Sequence, residues 1–247
     1  MRKIEFKVSE DLSGKEIKSI LYKNLSLSSK LIRKLKTYDD GILLNNKKAT
    51  VREKVSAGDI LLINILDEVS VNIVPNDIPL DVLYEDEDII AINKPYNMPT
   101  HPSQNHYEGT LANGVMNYFK GTDFTFRAIN RLDRDTTGVV LVAKNRYSSE
   151  LFCRQIRNGD MQKTYLAICK GKPEQIKGVI DAPIKRKEDS VITRIVAEDG
   201  QSAKTFYEVV KTENGYSLIK LKPKTGRTHQ IRVHMAHIGH PLYGDFI

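Results

Sequence analysis

The stretch Arg131-Leu132-Asp133-Arg134-Asp135-Thr136-Thr137-Gly138 runs directly into Val139-Val140-Leu141-Val142-Ala143. The second half is a short continuous apolar run, which reads as a buried strand. The first half sets two carboxylates among two guanidiniums at the mouth of that strand. An arginine beside an aspartate favours the ionised carboxylate, the form that a nucleophile or a base needs. Thr136, Thr137 and Gly138 suit a tight turn that fixes the loop. A surface salt-bridge turn accounts for the same spacing, so the loop by itself leaves both readings open.

Similar apolar runs lie on either side. Ile89-Ile90-Ala91-Ile92 precedes the loop, and Tyr165-Leu166-Ala167-Ile168 and Ser217-Leu218-Ile219-Lys220-Leu221 follow it. One helix is predicted from about Ser148 to Asn158, with Leu151, Phe152, Gln155 and Ile156 inward and Gly159 as its stop. Strands outnumber helices over residues 80–247, which predicts an α+β domain around a largely antiparallel mixed sheet. Pro75, Asn76, Asp77 and Pro79 break regular structure, so residues 73–79 read as a linker.

Residues 1–72 then form a small α/β domain of their own. Ile17, Ile20 and Leu21, followed by Leu27, Leu31, Ile32 and Leu35, recur at helical spacing. Two short strands follow, Ile42-Leu43-Leu44 and Asp59 to Ile65, with Asn45-Asn46 as a turn leaving the first. The second helix carries Lys30, Arg33, Lys34 and Lys36, with Lys47 and Lys48 close behind. Such a unit can grip RNA by shape and phosphate rather than by base edges. A solvated helix face is the alternative.

Bulk properties agree with a polyanion partner without requiring one. The 247 residues carry a net charge of +7, a moderate basic excess that puts nucleic acid first among acidic partners. With 40% hydrophobic residues, the chain is no low-complexity tail. No apolar stretch reaches the ~20 residues of a membrane helix, and the first residues do not read as a secretion signal. Cys153 and Cys169 stand apart in unlike contexts, which points to a reducing cytoplasm and to core packing. The chain has no G-x-x-x-x-G-K-[ST] loop, no strand-linked G-x-G-x-x-G, no G-x-S-x-G and no CxxC. A nucleotide-fuelled or redox enzyme is therefore not expected.

Two more segments carry chemistry. Lys224-Thr225-Gly226-Arg227-Thr228-His229-Gln230-Ile231-Arg232-Val233-His234 places a Gly-Arg turn before polar and basic side chains. His229, His234, His237 and His240 raise the question of zinc, but no helical H-x-x-x-H pair and no completing cysteine or carboxylate accompany them. Buried, hydrogen-bonded histidines or RNA-facing ones are expected instead. Lys163-Thr164-Tyr165 starts a strand, where the ring either packs on the sheet or offers a face to a base.

Taken in order, these segments resemble the RluA-type pseudouridine synthases over nearly all of residues 80–247. The first family motif resembles Glu85-Asp86-Glu87-Asp88-Ile89-Ile90-Ala91-Ile92-Asn93-Lys94-Pro95 with Met98-Pro99-Thr100-His101. Its catalytic motif resembles Arg131-Leu132-Asp133 through Lys144, with Asn130 where many members have His. Lys163-Thr164-Tyr165, Gly226 through Arg232, and His240-Pro241-Leu242-Tyr243-Gly244-Asp245 resemble the later ones. Residues 1–72 resemble the S-four domain, an RNA-binding module named after a small-subunit ribosomal protein. The match lies in Leu27-Ser28-Ser29, the basic helix, Gly41 to Asn45, and Gly58-Asp59-Ile60. They depart from it at Glu16-Ile17-Lys18 and Asn45-Asn46.

The resemblance implies a reaction that detaches uracil from its ribose, turns it and rejoins it through carbon 5, with no cofactor and no metal. It implies Asp133 as the catalytic carboxylate, Tyr165 as the ring stacked on the base, and Arg227 as the partner that holds Asp133 ionised. Arg131, Arg134, Lys94, His229 and Arg232, with Lys30, Arg33, Lys34 and Lys36, are the expected RNA contacts. Asp135 is the rival carboxylate, read as a turn or salt-bridge residue. Large-subunit ribosomal RNA is the implied substrate, with transfer RNA as the alternative. A noncatalytic RNA-binding or ribosome-assembly protein is a different class of answer, disfavoured by the intact Asp133, Tyr165 and Arg227. A monomer in the cytoplasm is expected. Members of the family continue past the motif at His240–Asp245, so an apolar end at Phe246-Ile247 reads as a truncated domain.

Overall fold

The computed structural model describes residues 2–66, 73–103, 107–190 and 192–245. The end at Phe246 and Ile247 lies outside the described residues. The chain divides into two compact units, Met1–Gln155 and Ile156–Ile247. No helix among the described residues is long and apolar enough to cross a membrane.

The first unit opens with β1 (Arg2–Lys7), α1 (Ile17–Lys23), α2 (Ser29–Leu35), β2 (Ile42–Leu44), β3 (Lys47–Lys48) and β4 (Ile60–Ile65). The strands form an antiparallel sheet in the order β1-β4-β2-β3. Alternation along β4 turns Leu61, Ile63 and Ile65 inward, where they join Ile17, Ile20, Leu21, Leu31, Ile32 and Leu35 in one core. Ser28 caps α2, its hydroxyl accepting from the Leu31 amide at 3.1 Å. Asn45 and Asn46 both have positive φ, 49° and 64°, the geometry that a two-residue hairpin turn demands.

The same unit continues with β5 (Val82–Glu85), β6 (Ile89–Lys94), α3 (Leu111–Tyr118), β7 (Gly138–Ala143) and α4 (Arg146–Asn158), whose last residues pass the unit boundary. β6 pairs antiparallel with both neighbours. Its register sets Ile92 beside Val140 and Lys94 beside Gly138, so the end of β6 meets the exit of the Arg131–Gly138 loop. Ile90, Ile92, Val140 and Val142 pack with Leu111, Val115, Phe124 and Phe126.

α3 was not anticipated, because Leu-Ala-Asn-Gly-Val-Met-Asn-Tyr contains a helix-weakening glycine and two asparagines. Burial explains it. Thr110 and Asn113 cap the helix reciprocally. Gly114 admits the chain before β5: a Cβ there would lie 3.1 Å from Leu80 and 3.2 Å from Ile78. Asn113 also donates to the Val74 carbonyl at 2.8 Å and accepts from the Asn76 amide on its own carbonyl at 3.1 Å. The stretch read as a linker thus lies against α3. Arg2 joins the two cores of the unit, donating from Nε and Nη2 to Asp88 at 3.1 and 3.0 Å. Arg154 Nη1 reaches the Ser26 carbonyl at 2.8 Å, and Tyr147 packs against the first core.

The second unit holds β8 (Tyr165–Lys170), β9 (Lys177–Asp181), β10 (Ile184–Arg186), β11 (Arg194–Val196), β12 (Lys204–Glu213), β13 (Tyr216–Pro223) and α5 (Gln230–His237). β8-β13-β12-β9 is an antiparallel sheet, and β10 and β11 form a separate hairpin. Cys169, Ile180, Ile219, Leu221 and Met235 make its core, which places Cys169 as a packing residue. The segment read only as rich in polar and basic side chains is helical from Gln230 to His237. One side of it packs into the core through Met235 and Ile231, and that side decides its structure over its mixed propensities.

Candidate active site

The Arg131–Gly138 loop is held from both sides of Asp133 by polar groups at the end of β6 and on the segment that follows it. On one side, the Thr100 hydroxyl donates to the Leu132 carbonyl at 2.8 Å and accepts from the Leu132 amide at 3.2 Å. On the other, the Arg134 carbonyl accepts from Lys94 Nζ at 3.0 Å and from the Met98 amide at 3.1 Å. The Thr136 amide returns to the Asp133 carbonyl at 3.1 Å and closes the turn that Thr136, Thr137 and Gly138 suggested. Asn130 ties the loop entrance to β7. Its side chain donates to the Val139 carbonyl at 3.0 Å and accepts from the Leu141 amide at 2.8 Å. Asp133 itself is half-buried, and its carboxylate has no hydrogen-bond or ion-pair partner among the described residues of its unit.

Lys94 does not face RNA, and the expectation that it would is corrected here. It is 0% exposed. Its three N–H groups donate to the carbonyls of Pro95, Met98 and Arg134 at 2.9, 2.8 and 3.0 Å. Burial pushes the ammonium below the usual lysine range, and the nearby Asp135 and Asp133 carboxylates oppose that shift. Lys94 is therefore a fastener for the loop that carries Asp133.

The arginines of the loop point elsewhere. Arg134 Nε pairs with Asp135 at 3.2 Å, with the two side chains 55% and 45% exposed. Such a surface pair contributes little, ~0–1 kcal/mol, and it gives the rival carboxylate an ordinary salt-bridging role. Arg131 is exposed. His101, edge-on to Phe126 with centroids 4.9 Å apart, is pushed below the ordinary imidazole range by burial and then by the Arg131 charge. A base depressed in the folded state binds fewer protons than in the unfolded chain. Its neutral form therefore supports stability above about pH 6.5, and that support is lost as pH falls towards the folded value. His234 is depressed in the same direction. The urea midpoint should accordingly fall between about pH 7.5 and 5.5. The fall should be smaller in His101→Gln, and an undiminished fall in that variant counts against this account.

In the second unit, Tyr165 opens β8 opposite Leu221 and packs half-buried against the core. Lys163, two residues before it, is pushed down by burial. Arg227 lies exposed in the loop between β13 and α5, its Nε donating to the Ser202 carbonyl at 3.0 Å. The loop is organised by Gln230, 5% exposed, whose Oε1 accepts from the Arg227 amide at 3.0 Å and from the Thr225 hydroxyl at 2.7 Å. His229 starts α5 in the left-handed region, φ 57°. Arg232 forks onto Asp245, Nε at 2.7 Å and Nη2 closer still, so the position expected to hold RNA has an internal anion. Far from these residues in sequence, Lys30 and Arg33 on α2 and Lys36 just past its end are exposed, Lys34 is half-buried, and Leu31, Ile32 and Leu35 are turned to the core. No cluster of three or more metal-ligating side chains occurs among the described residues.

Thr100, Thr205 and Gln230 were not singled out from sequence. Thr100 and Gln230 sit inside motifs that were noticed, but hydroxyls and amides become informative only when their partners, 25 to 32 residues away, are known.

The chain is similar to known proteins over most of its length. Residues 88–237 match the family model described as RNA pseudouridylate synthase. The chain is 38% identical over 224 residues to the uncharacterized RNA pseudouridine synthase YjbO of Bacillus subtilis, covering 90% of this chain and 79% of that one. It is 36% identical over 241 residues to ribosomal large subunit pseudouridine synthase D of Escherichia coli K12, covering 96% and 74% respectively. The solved structure of human RNA pseudouridylate synthase domain containing 1 superposes with a TM-score of 0.57 at 27% identity, over 73% of this chain and 71% of that one.

Proposed function

This chain belongs to the RNA pseudouridylate synthase family, and from that premise we propose that Asp133, Tyr165 and Arg227 isomerise uridines in large-subunit ribosomal RNA. As an RNA pseudouridine synthase, it exchanges one bond for another within a single nucleotide. The N1–C1′ bond breaks, a C5–C1′ bond forms, C5 gives up its proton and N1 takes one. The atoms balance without a donor, an oxidant or a metal. Asp133 supplies the carboxylate, as nucleophile or base. Tyr165 supplies a ring for the turned-out base, whose removal from the stack costs a few kcal/mol. Arg227 supplies the cationic side chain of the set.

The observation that carries this reading is the clamp on Leu132 and Arg134, which fixes the backbone on both sides of Asp133 and leaves its carboxylate unclaimed within its unit. Relatives named for the large ribosomal subunit support the choice of RNA. Pseudouridine mapping in cells lacking the gene tests that choice. Uridines of large-subunit RNA should lose their modification, and loss confined to transfer RNA would reassign the substrate.

Residues 2–66 act, in this proposal, as an S-four-like grip on RNA. The support is the basic exposed side of α2 over a core of its own. Replacing Lys30, Arg33 and Lys36 together with alanine should weaken RNA binding and leave turnover on saturating RNA near normal. The plot of log affinity against log salt should flatten by about 0.7–0.9 for each phosphate contact removed. An unchanged slope would remove this segment from the RNA interface.

A further inference from the structure

Behind the Arg227 loop lies a chain of buried hydrogen bonds whose direction is fixed at one end. His234 is 0% exposed, and its Nε2 lies 2.9 Å from the Ala182 carbonyl. A carbonyl can only accept, so Nε2 carries the proton and the uncharged ring must accept at Nδ1. Nδ1 lies 2.8 Å from the Thr205 hydroxyl, also 0% exposed, which must therefore donate to it. The lone pairs of that hydroxyl then face Gln230 Nε2 at 2.9 Å and require a donor there. This sets the amide of Gln230: its NH2 group faces Thr205 and the Lys204 carbonyl, the latter at 3.0 Å, and its Oε1 faces the loop. Turned the other way, the amide would present N–H to the Arg227 N–H and the loop would lose its acceptor.

We propose that Thr205 and His234 are positioning residues for Arg227, fixing through the orientation of the Gln230 amide where the Arg227 backbone sits. Each member is buried, so no water competes for the bonds, and a hydrogen bond in such surroundings is both stronger and costlier to leave unmade. Gln230 has two ways to lie in its site, and the Thr205 hydroxyl, oriented by the His234 tautomer, acts with the Lys204 carbonyl to hold it in one. The inference rests on the proposed role of Arg227 in catalysis.

The test compares Thr205→Val, which keeps shape but neither donates nor accepts, with Thr205→Ser, which keeps the hydroxyl. Tritium release from RNA labelled at uridine carbon 5 gives kcat and KM. Thr205→Val should lower kcat by about tenfold to a hundredfold, as expected for a misplaced charge, and change KM by less than about twofold. Thr205→Ser should restore most of the rate. Equal kcat for Thr205→Val and an active parent protein would overturn the proposal. An inactive parent on every RNA would instead remove the function itself. Should the valine variant not fold, the nitrogen chemical shifts of His234 in the unaltered protein still decide the point. A neutral ring protonated at Nε2 is required, and a ring protonated at Nδ1, or at both nitrogens at neutral pH, would refute the relay.

Discussion

Asp133→Asn should yield a folded protein that binds RNA with nearly unchanged affinity and releases tritium from carbon-5-labelled uridine at least about 10⁴-fold more slowly, the scale at which enzymes lose a covalent or basic catalyst. The substitution exchanges one oxygen for an amide and removes the charge without changing shape. The local structure should hold. Leu132 and Arg134 are fastened through their backbones, and the Asp133 carboxylate contributes no bond within its unit. Asp135→Asn is the control. Its partner is Arg134 in an exposed pair, so activity should stay within about fivefold of the parent and stability within about 1 kcal/mol. Appreciable turnover by folded Asp133→Asn would remove this residue from the chemistry. A dead Asp135→Asn beside it would transfer the role to its neighbour.

Lys94→Met should cost both stability and rate, which separates it from a surface contact to RNA. Methionine fills a similar space but leaves the carbonyls of Pro95, Met98 and Arg134 without the donor they now share. Each buried acceptor left unmade costs about 1–3 kcal/mol. Relaxation and water entry recover part of that, so a loss of about 3 kcal/mol is expected by urea titration. The Arg134 carbonyl keeps the Met98 amide but loses the ammonium that ties the loop to β6, and kcat should fall by at least about a hundredfold, since small displacements of a catalytic group have that effect. Lys94→Arg should not rescue it, because a planar fork cannot reproduce three donors converging from one nitrogen. A Lys94→Met protein of normal stability, with weakened RNA affinity as its sole defect, would return Lys94 to the RNA interface.

The residues that could be read from sequence were those whose neighbours in the chain already determine them. α1 and α2 follow from Ile17, Ile20, Leu21, Leu31, Ile32 and Leu35 at helical spacing, and β6 and β7 from runs too apolar for any exposed place. Asp133, Tyr165 and Arg227 stood out because each lies in a dense local motif. α3 did not, since Gly114 is unfavourable in a helix until Ile78 and Leu80 are known to press against it. Lys94 was misjudged for a related reason. A lysine in a polar motif reads as surface, and only the β6–β7 register, which sets it beside Gly138, shows that carbonyls surround it. His234 and His237 look alike in the sequence and, three residues apart, share a side of α5, yet the first is buried and the second, the last residue of the helix, is exposed.

The seam between Asn113, Val74 and Asn76, together with Arg2 on Asp88 and Arg154 on Ser26, has a consequence for which RNAs qualify. A basic helix on a slack tether would roam, and any RNA within reach would gain from its high local concentration. Stitched down at these points, α2 instead keeps a set distance from Asp133 within its unit. Under the proposed reading the protein then works as a caliper. Phosphates held at α2 and a uridine presented at Asp133 reinforce each other only in an RNA whose folded shape spans that distance. Such an enzyme discriminates by the spacing between two features of a folded RNA, a property that survives changes in the bases between them.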